Sequence, residues 1–232
     1  MLILLPPSEG KAEPEGGEPV DLDSLVFPAE LLKERQKLLR AVDPKLREAP
    51  TAPAAEVYTG VLYQRLDLPG LNAAARRRAA KRVLIASALW GFVRPTDRVP
   101  RYRLPPSTKL NGIGPLAAWW RPALAAAMPE EPGETIVDMR SGAYVSAWKP
   151  KQATLLAVRP FRDEKGERKA VSHMAKAVRG DVARVLLFAK REPKTPDEVA
   201  AVAADAGFKV ELTPTSLDVI VAEQGLAERL SS

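Results

Sequence analysis

The sequence has no cysteine and only one histidine, His173. Without thiols there can be no disulfide, no thiolate nucleophile and no thiolate-held zinc or iron–sulfur centre. A single imidazole also excludes a site that draws two from one chain. Any metal would need carboxylates and carbonyls, which suits magnesium, but the acids show no ligand spacing, so neither metal nor cofactor is expected. Long apolar runs are missing as well. None reaches the roughly 18 residues of a membrane span, and Met1–Leu5 is too short, and lacks the basic flank, to be a secretory signal. The expectation is a cytoplasmic protein with no membrane partner.

What is present fits one domain over residues 1–232, with 46% hydrophobic and 28% charged residues. The net charge of +6 is unevenly placed: Asn72–Leu110 carries +9, Met139–Arg184 carries +7, and the remainder −10. Positive charge focused in two stretches and surrounded by acid attracts polyanions.

Leu2–Leu5, Val83–Leu89, Glu134–Asp138 and Ala153–Val158 are short apolar runs bounded by turns and read as buried strands. Helical patterns cover Pro28–Val42, Leu71–Arg82, Gly114–Met128 and Val171–Arg191. Thr195-Pro-Asp-Glu198 marks a helix start, with an N-cap threonine, a first-turn proline and a capping-box glutamate. Glu48–Glu56 reads as a linker, and Gly91–Pro106, with four prolines, as a defined loop. Phe208–Leu212 and Leu217–Val221 read as a terminal strand pair. Strands alternating with helices imply an α/β or mixed α+β fold: a single domain with a mixed sheet flanked by helices.

Four segments carry candidate chemistry. "LWGFVRPTDRVPRYRL", residues 89–104, projects Arg94, Arg98, Arg101 and Arg103 beside Tyr102. Guanidinium forks engage phosphates bidentately and also stack on rings; Asp97 reads as a partner within the loop. "VDMRSGAYVSAWKP", residues 137–150, places Asp138, Arg140, Ser141 and Tyr144 after a strand, where ligands of α/β sheets collect; Trp148 reads as a cover for the sheet edge. "SHMAKAVRGDVARVLL", residues 172–187, offers Lys176 and Arg179 to an anion, and its mid-helix Gly180 implies close approach by another backbone. His173 reads as structural. "LNGIGPLAAWW", residues 110–120, resembles half of a helix-hairpin-helix but reads better as a glycine turn into an amphipathic helix. At the amino end, Ser8, Glu9 and Lys11 follow the first strand.

In this order, "MLILLPPSEGK", "VYTGVLY", "SALWGFVRPTDRVPRYRL", "VDMRSGAYVSAWKP" and "SHMAKAVRGDVARVLL" resemble the YaaA family of bacterial peroxide-stress proteins, over roughly Met1 to Phe188. The resemblance implies a cytoplasmic mixed α/β protein that limits damage from peroxide and intracellular iron, with a positively charged cleft and DNA binding. Its blocks point to Lys11, Tyr58, Arg94, Tyr102, Arg103, Lys149, Pro150, Lys176, Arg179 and Gly180. The sequence departs from the family in having a Pro/Ala stretch, Glu48–Glu56, where a helix-hairpin-helix-like segment is expected ahead of "VYTG". Two functions follow as expectations. One is DNA binding, duplex or single-stranded, in a basic cleft. The other is an enzyme acting in that cleft on a nucleotide-like or phosphorylated small molecule, with Glu9, Asp138 and Tyr144 as candidate acid/base groups. Direct iron sequestration is the weakest reading, given one histidine and no thiol.

Overall fold

Leu2–Leu5, Val83–Ser87 and Thr135–Asp138 are buried along their whole length, the pattern of strands covered on both faces. In the computed structural model, which describes residues 1–164, 167–170 and 174–221, they form the centre of one sheet. In chain order the elements are β1 (Leu2–Leu5), α1 (Pro28–Val42), β2 (Ala52–Pro53), α2 (Ala54–Val57), α3 (Val61–Leu66), α4 (Ala73–Arg82), β3 (Val83–Ser87), β4 (Gly91–Val93), β5 (Arg98–Val99), β6 (Lys109–Leu110) and β7 (Gly114–Pro115). They continue as α5 (Leu116–Ala127), β8 (Thr135–Asp138), α6 (Gly142–Val145), β9 (Thr154–Glu164), β10 (Glu167–Ala170), α7 (Met174–Phe188), α8 (Pro196–Asp205), β11 (Lys209–Leu212) and β12 (Ser216–Val221).

The main sheet is mixed and has eight strands in the order β11-β12-β9-β8-β1-β3-β4, with β10 paired to β9 off that path. Neighbours from β12 through β9, β8 and β1 to β3 are parallel, while β4, β10 and β11 join antiparallel. The chain steps from β1 to β3 on one side, then returns to lay β8 on the other side of β1. Winding direction therefore reverses between β1 and β8, and the crevice beyond their carboxyl ends is where an open α/β sheet takes its ligands.

Two helical groups flank the sheet: α1 packs on α5, while α3, α4 and α8 pack on α7. The α3–α7 contact requires Gly180, because a Cβ there would lie 2.3 Å from the Leu62 carbonyl oxygen. On α1 the buried face includes Arg35 among Leu31, Leu38 and Leu39. Its guanidinium donates to the carbonyls of Trp90, Val26 and Phe92 at 3.1, 2.7 and 3.1 Å, tying α1 to β4. Burial draws its pKa down to about 10, against the opposing pull of Asp97.

Several local expectations change in detail. Gly91–Pro106 contains two short strands, β4 on the edge of the main sheet and β5 paired with β2, while Pro95 and Pro100 lie outside both. The Glu48–Glu56 stretch is ordered for the same reason: it supplies β2 and most of α2, and Ala54 and Ala55 donate to the Asp97 and Pro95 carbonyls. Residues 109–115 form a small β6–β7 hairpin, with Gly112 and Gly114 at positive φ of 74° and 75°, that leads directly into α5. Trp120 is buried there and donates to the Ala88 carbonyl at 2.8 Å. β12 inserts parallel beside β9, so only β11 of the last pair is an edge strand. Thr195 caps α8, accepting from Glu198 N at 3.2 Å. His173 lies outside the described residues. Among the described residues no helix is long and apolar enough to cross a membrane.

Candidate functional site

Pro6 and Pro7 end β1, and the turn that follows is pinned to the α2–α3 connection. Ser8 Oγ accepts from Thr59 N at 3.0 Å, Ala12 N donates to the Val57 carbonyl at 2.9 Å, and Lys11 forms an antiparallel bridge with Tyr58. These contacts hold the Lys11 ammonium 4.5 Å from the Tyr102 ring centroid and 5.3 Å from that of Tyr58, a cation–π arrangement. Its one hydrogen bond among the described residues runs to the Ser8 carbonyl at 2.8 Å. Burial lowers the Lys11 pKa to about 8, against the opposing effect of Glu9.

All four tyrosines of the sequence meet here. Tyr58 and Tyr102 share a hydrogen bond at 2.7 Å, and Tyr102 shares another, at 2.7 Å, with Ser87 at the end of β3. Tyr63 stacks on Tyr58, centroids 5.6 Å apart, and donates to the Pro6 carbonyl at 2.6 Å. Tyr144, on α6 after β8, is half-buried; burial and then Glu9 push its pKa up to about 12. Burial also raises Tyr58, Tyr63 and Tyr102, so near neutral pH all four are uncharged donors.

β8 ends differently. Arg140 grips Asp138 through Nε and Nη2, both at 2.9 Å, and donates to the carbonyls of Tyr144 and Trp148 at 3.1 and 3.0 Å. Both side chains are buried. The Trp148 ring lies against the guanidinium, 5.7 Å from centroid to carbon. Arg179 donates to the Val158 carbonyl at 3.2 Å, one residue past Ala157, the register partner of Asp138; burial lowers its pKa while Asp138 opposes. Ser141 is exposed and makes no side-chain cap on α6.

The arginines of the 89–104 segment disperse. Arg94 follows β4, which runs antiparallel to β3 with Val93 opposite Ile85, so it lies towards the amino end of β3 rather than its carboxyl end. There it donates to the Ala80 carbonyl at 2.9 Å. Arg98 bonds Thr51, and Arg101 pairs with Glu13 at 2.8 Å. Asp97 organises backbone rather than a guanidinium: its Oδ2 accepts from Val26 N and Arg94 N, each at 3.0 Å. Arg103, Lys149 and Lys176 are exposed, and among the described residues they have no ion-pair or hydrogen-bond partner. Each is a near neighbour in the chain of a residue already described: Arg103 adjoins Tyr102, Lys149 adjoins Trp148, and Lys176 precedes Arg179 by one turn of α7.

Of the residues singled out from sequence, the structure thus brings Glu9, Lys11, Tyr58, Tyr102, Tyr144, Asp138, Arg140 and Arg179 to the ends of β1, β3 and β8, and sends Arg94 elsewhere. Sequence reasoning passed over Tyr63 and Ser87. The signals were there: Tyr63 closes the "VYTGVLY" block, and Ser87 is the polar end of a buried strand. A cavity of about 20 Å³, enough for one water, borders Ser87 and Tyr144. A hollow of about 460 Å³ lies beside Glu13, Glu15 and Glu56, with Arg98 the one cation lining it among the described residues; its charge repels anions. Among the described residues no group of three or more acids and histidines is placed to hold a metal.

Comparison with known proteins agrees with these motifs. The family model described as peroxide stress protein YaaA matches residues 18–213. A UPF0246 protein of Streptomyces coelicolor is 41% identical, covering 96% of this chain and 99% of its own length. A UPF0246 protein of Corynebacterium efficiens is 39% identical, covering 91% and 95%, and an uncharacterised protein of Campylobacter jejuni is 27% identical, covering 87% and 89%. On the extent of the first two matches and of the family model, the chain belongs to the peroxide stress protein YaaA family.

Proposed function

We propose that this YaaA-family protein contributes to peroxide resistance by binding the phosphate backbone of DNA at the carboxyl ends of β1, β3 and β8, shielding it from iron-driven oxidation. The observation that carries this reading is the set of exposed cations Arg103, Lys149 and Lys176, without an ion-pair or hydrogen-bond partner among the described residues, together with the half-buried Lys11. Cations with free donors and a nearby aromatic floor suit a phosphate chain with bases or sugars alongside. Phosphate neutralisation releases counterions, so affinity falls steeply with salt. Binding to duplex and single-stranded oligonucleotides across a salt series is the test. A steep slope supports the reading, and a flat slope or no binding at low salt overturns it.

One observation favours a second reading, an enzyme acting on a phosphorylated or nucleotide-like small molecule. Lys11, lowered to about 8, exchanges protons near physiological pH, and Glu9 is close enough to act on both Lys11 and Tyr144. Such poised groups serve acid/base chemistry. The variant Glu9→Gln separates the two. If DNA tracking is the function, removing this negative charge leaves DNA affinity equal or higher. If catalysis is the function, it abolishes turnover.

A further inference from the structure

Two helices end at the amino edge of the sheet, and the chain there carries more positive charge than those ends require. α4 runs directly into β3, and residues 189–195 cross the amino ends of β1, β3 and β8. Glu192 takes the Met1 ammonium and Arg82, each at 3.0 Å, and the Lys194 carbonyl accepts from Thr135 Oγ1 at 2.8 Å. A helix leaves its last carbonyls unpaired, with partial negative charge. Here guanidinium groups meet both ends. Arg78 donates to the Leu187 and Ala189 carbonyls at 2.7 and 2.6 Å, closing α7, and Arg94 donates to the Ala80 carbonyl in the last turn of α4 at 2.9 Å.

Four more cations stand around these caps: Arg77 and Lys81 on α4, Lys190 and Arg191 just after α7. All four are exposed, and among the described residues none has an ion-pair or hydrogen-bond partner. Arg77 and Lys81 are one turn apart, about 6 Å along the axis, and at 3.6 residues per turn Lys81 projects between Arg77 and Arg78. The exposed stripe therefore turns towards Ala189, which adjoins Lys190. Nearby acids are engaged elsewhere. Glu134 and Glu192 hold the Met1 ammonium, and Glu198 accepts from Lys194 N at 2.6 Å, a bond that lowers its pKa with smaller help from Arg191. Phe188, exposed beside the cluster, is already faced by Arg184 at 5.0 Å, so no open apolar anchor of the kind protein partners use is present. A phosphate backbone needs only the cations.

We propose that Arg77, Lys81, Lys190 and Arg191 form a second phosphate-binding surface, at the amino end of the sheet, that takes the backbone of a second duplex, so that one copy of the chain bridges two DNA segments. The inference rests on the DNA reading for the first segment, which lies beyond the carboxyl ends of the same strands. β1 spans four residues, about 13 Å, so the two surfaces stand at opposite ends of a short sheet. Duplex DNA is stiff over about 150 base pairs. A short straight segment therefore lies against one end and leaves the other to a different segment. Each phosphate neutralised adds about 0.9 to the salt slope, so four cations supply a surface whose grip is lost readily as salt rises. The proposal also gives the displaced end of the 89–104 segment a setting: Arg94 closes the helix on which Arg77 and Lys81 are carried.

The experiment mixes the full chain, at low salt, with two short duplexes of unrelated sequence, one carrying a donor fluorophore and the other an acceptor. Energy transfer between the duplexes is expected to rise as protein is added and to fall again once each duplex is covered by its own copies. Arg77→Glu/Lys81→Glu is expected to lower the transfer roughly tenfold or more while weakening the binding of a single duplex by only about twofold, the loss of one of two sites. Lys190→Glu/Arg191→Glu, on a different element, should do the same and keeps the test decisive if the first pair does not fold. Arg103→Ala/Lys149→Ala/Lys176→Ala, at the other surface, should also lose transfer yet still hold one duplex. Wild-type protein that binds duplex without transfer at any ratio overturns the bridge, as does transfer that survives both charge-reversed pairs. The DNA reading outlasts either result provided that the triple alanine variant loses duplex binding. Absent transfer with duplex binding that depends on Arg77 and Lys81 alone overturns both, since DNA then has one site, at the amino end. No duplex binding at low salt overturns both as well.

Discussion

β1 and β8 are adjacent parallel strands, and the turn beyond each carries a cation packed against aromatic rings. Arg140 is buried and four of its five donors are occupied by Asp138 and two carbonyls. Lys11 is half-buried, has one carbonyl partner among the described residues, and carries a pKa lowered by burial. The difference separates scaffold from candidate site. A guanidinium with four of five donors engaged fixes the fold of the loop after β8, whereas an ammonium with one of three engaged at the neighbouring strand end still has donors to offer a ligand. Position at a strand end therefore does not decide a cation's role; the count of its free donors does.

The harshest way to break the comparison is to make Arg140 resemble Lys11. Asp138→Ala leaves a buried guanidinium without its carboxylate, and removing one partner of a buried pair costs about 3–5 kcal/mol. The denaturant midpoint should fall accordingly. The double variant Asp138→Ala/Arg140→Met should recover much of that loss, because the stranded charge is gone. Failure of the double variant to recover would mean that the Tyr144 and Trp148 carbonyl contacts, not the ion pair, hold the loop.

A smaller effect is expected at Gly180, where α7 meets α3. Gly180→Ala drives a methyl towards the Leu62 carbonyl oxygen. Overpacking of this kind costs about 1–3 kcal/mol. Because α7 carries Arg179 and Lys176 while α3 carries Tyr63, the substitution should also disturb Tyr63, read as a shift of its ring signal. Stability loss without any change at Tyr63 would show that α7 moves alone.

The sheet was largely legible because buried parallel strands are continuous apolar runs, and Leu2–Leu5 or Thr135–Asp138 admit no other good reading. The proline-rich segment was less so. Of its two short strands, β5 is set by a partner far away in sequence, Ala52 opposite Val99, which no local pattern reveals, while β4 is the return strand of a tight hairpin from Ser87 to Gly91. The site was legible in part. Lys11, Tyr58 and Tyr102, read from separate blocks, come together in the fold, but the arginines of residues 89–104 share composition and not position: the antiparallel turn at Gly91 carries Arg94 back along β3, away from its carboxyl end. Ser87 escaped notice because its role depends on two backbone N–H groups folded over it.

Lys11 offers a sharper contrast through pH. Its folded pKa lies near 8, below the ordinary value of 10.5, so folding disfavours its protonated form. Between these two values the unfolded chain holds the proton and the folded chain does not, and stability must rise with pH. Relative to Lys11→Met, the wild-type protein should gain stability between pH 8 and 10.5. Anion affinity should move oppositely, falling above pH about 8 as the ammonium is lost. If stability and affinity change in the same direction across this window, the charge on Lys11 is not what the anion senses.

The smallest expected effect tests the comparison within a single loop. Arg101 and Arg103 are both exposed and lie two residues apart on either side of the buried Tyr102. Arg101 is paired with Glu13, and Arg103 has no partner among the described residues. If free donors mark the site, Arg103→Ala should reduce the salt slope of DNA binding by about 1, whereas Arg101→Ala should leave the slope nearly unchanged. Neither should shift stability by more than about 0.5 kcal/mol, since both are surface positions. Equal losses of slope would mean that Glu13 yields its arginine to the phosphate, so pairing at an exposed position does not remove a cation from the site. The rule drawn from Arg140 would then hold only where the pair is buried and water cannot replace the displaced partner.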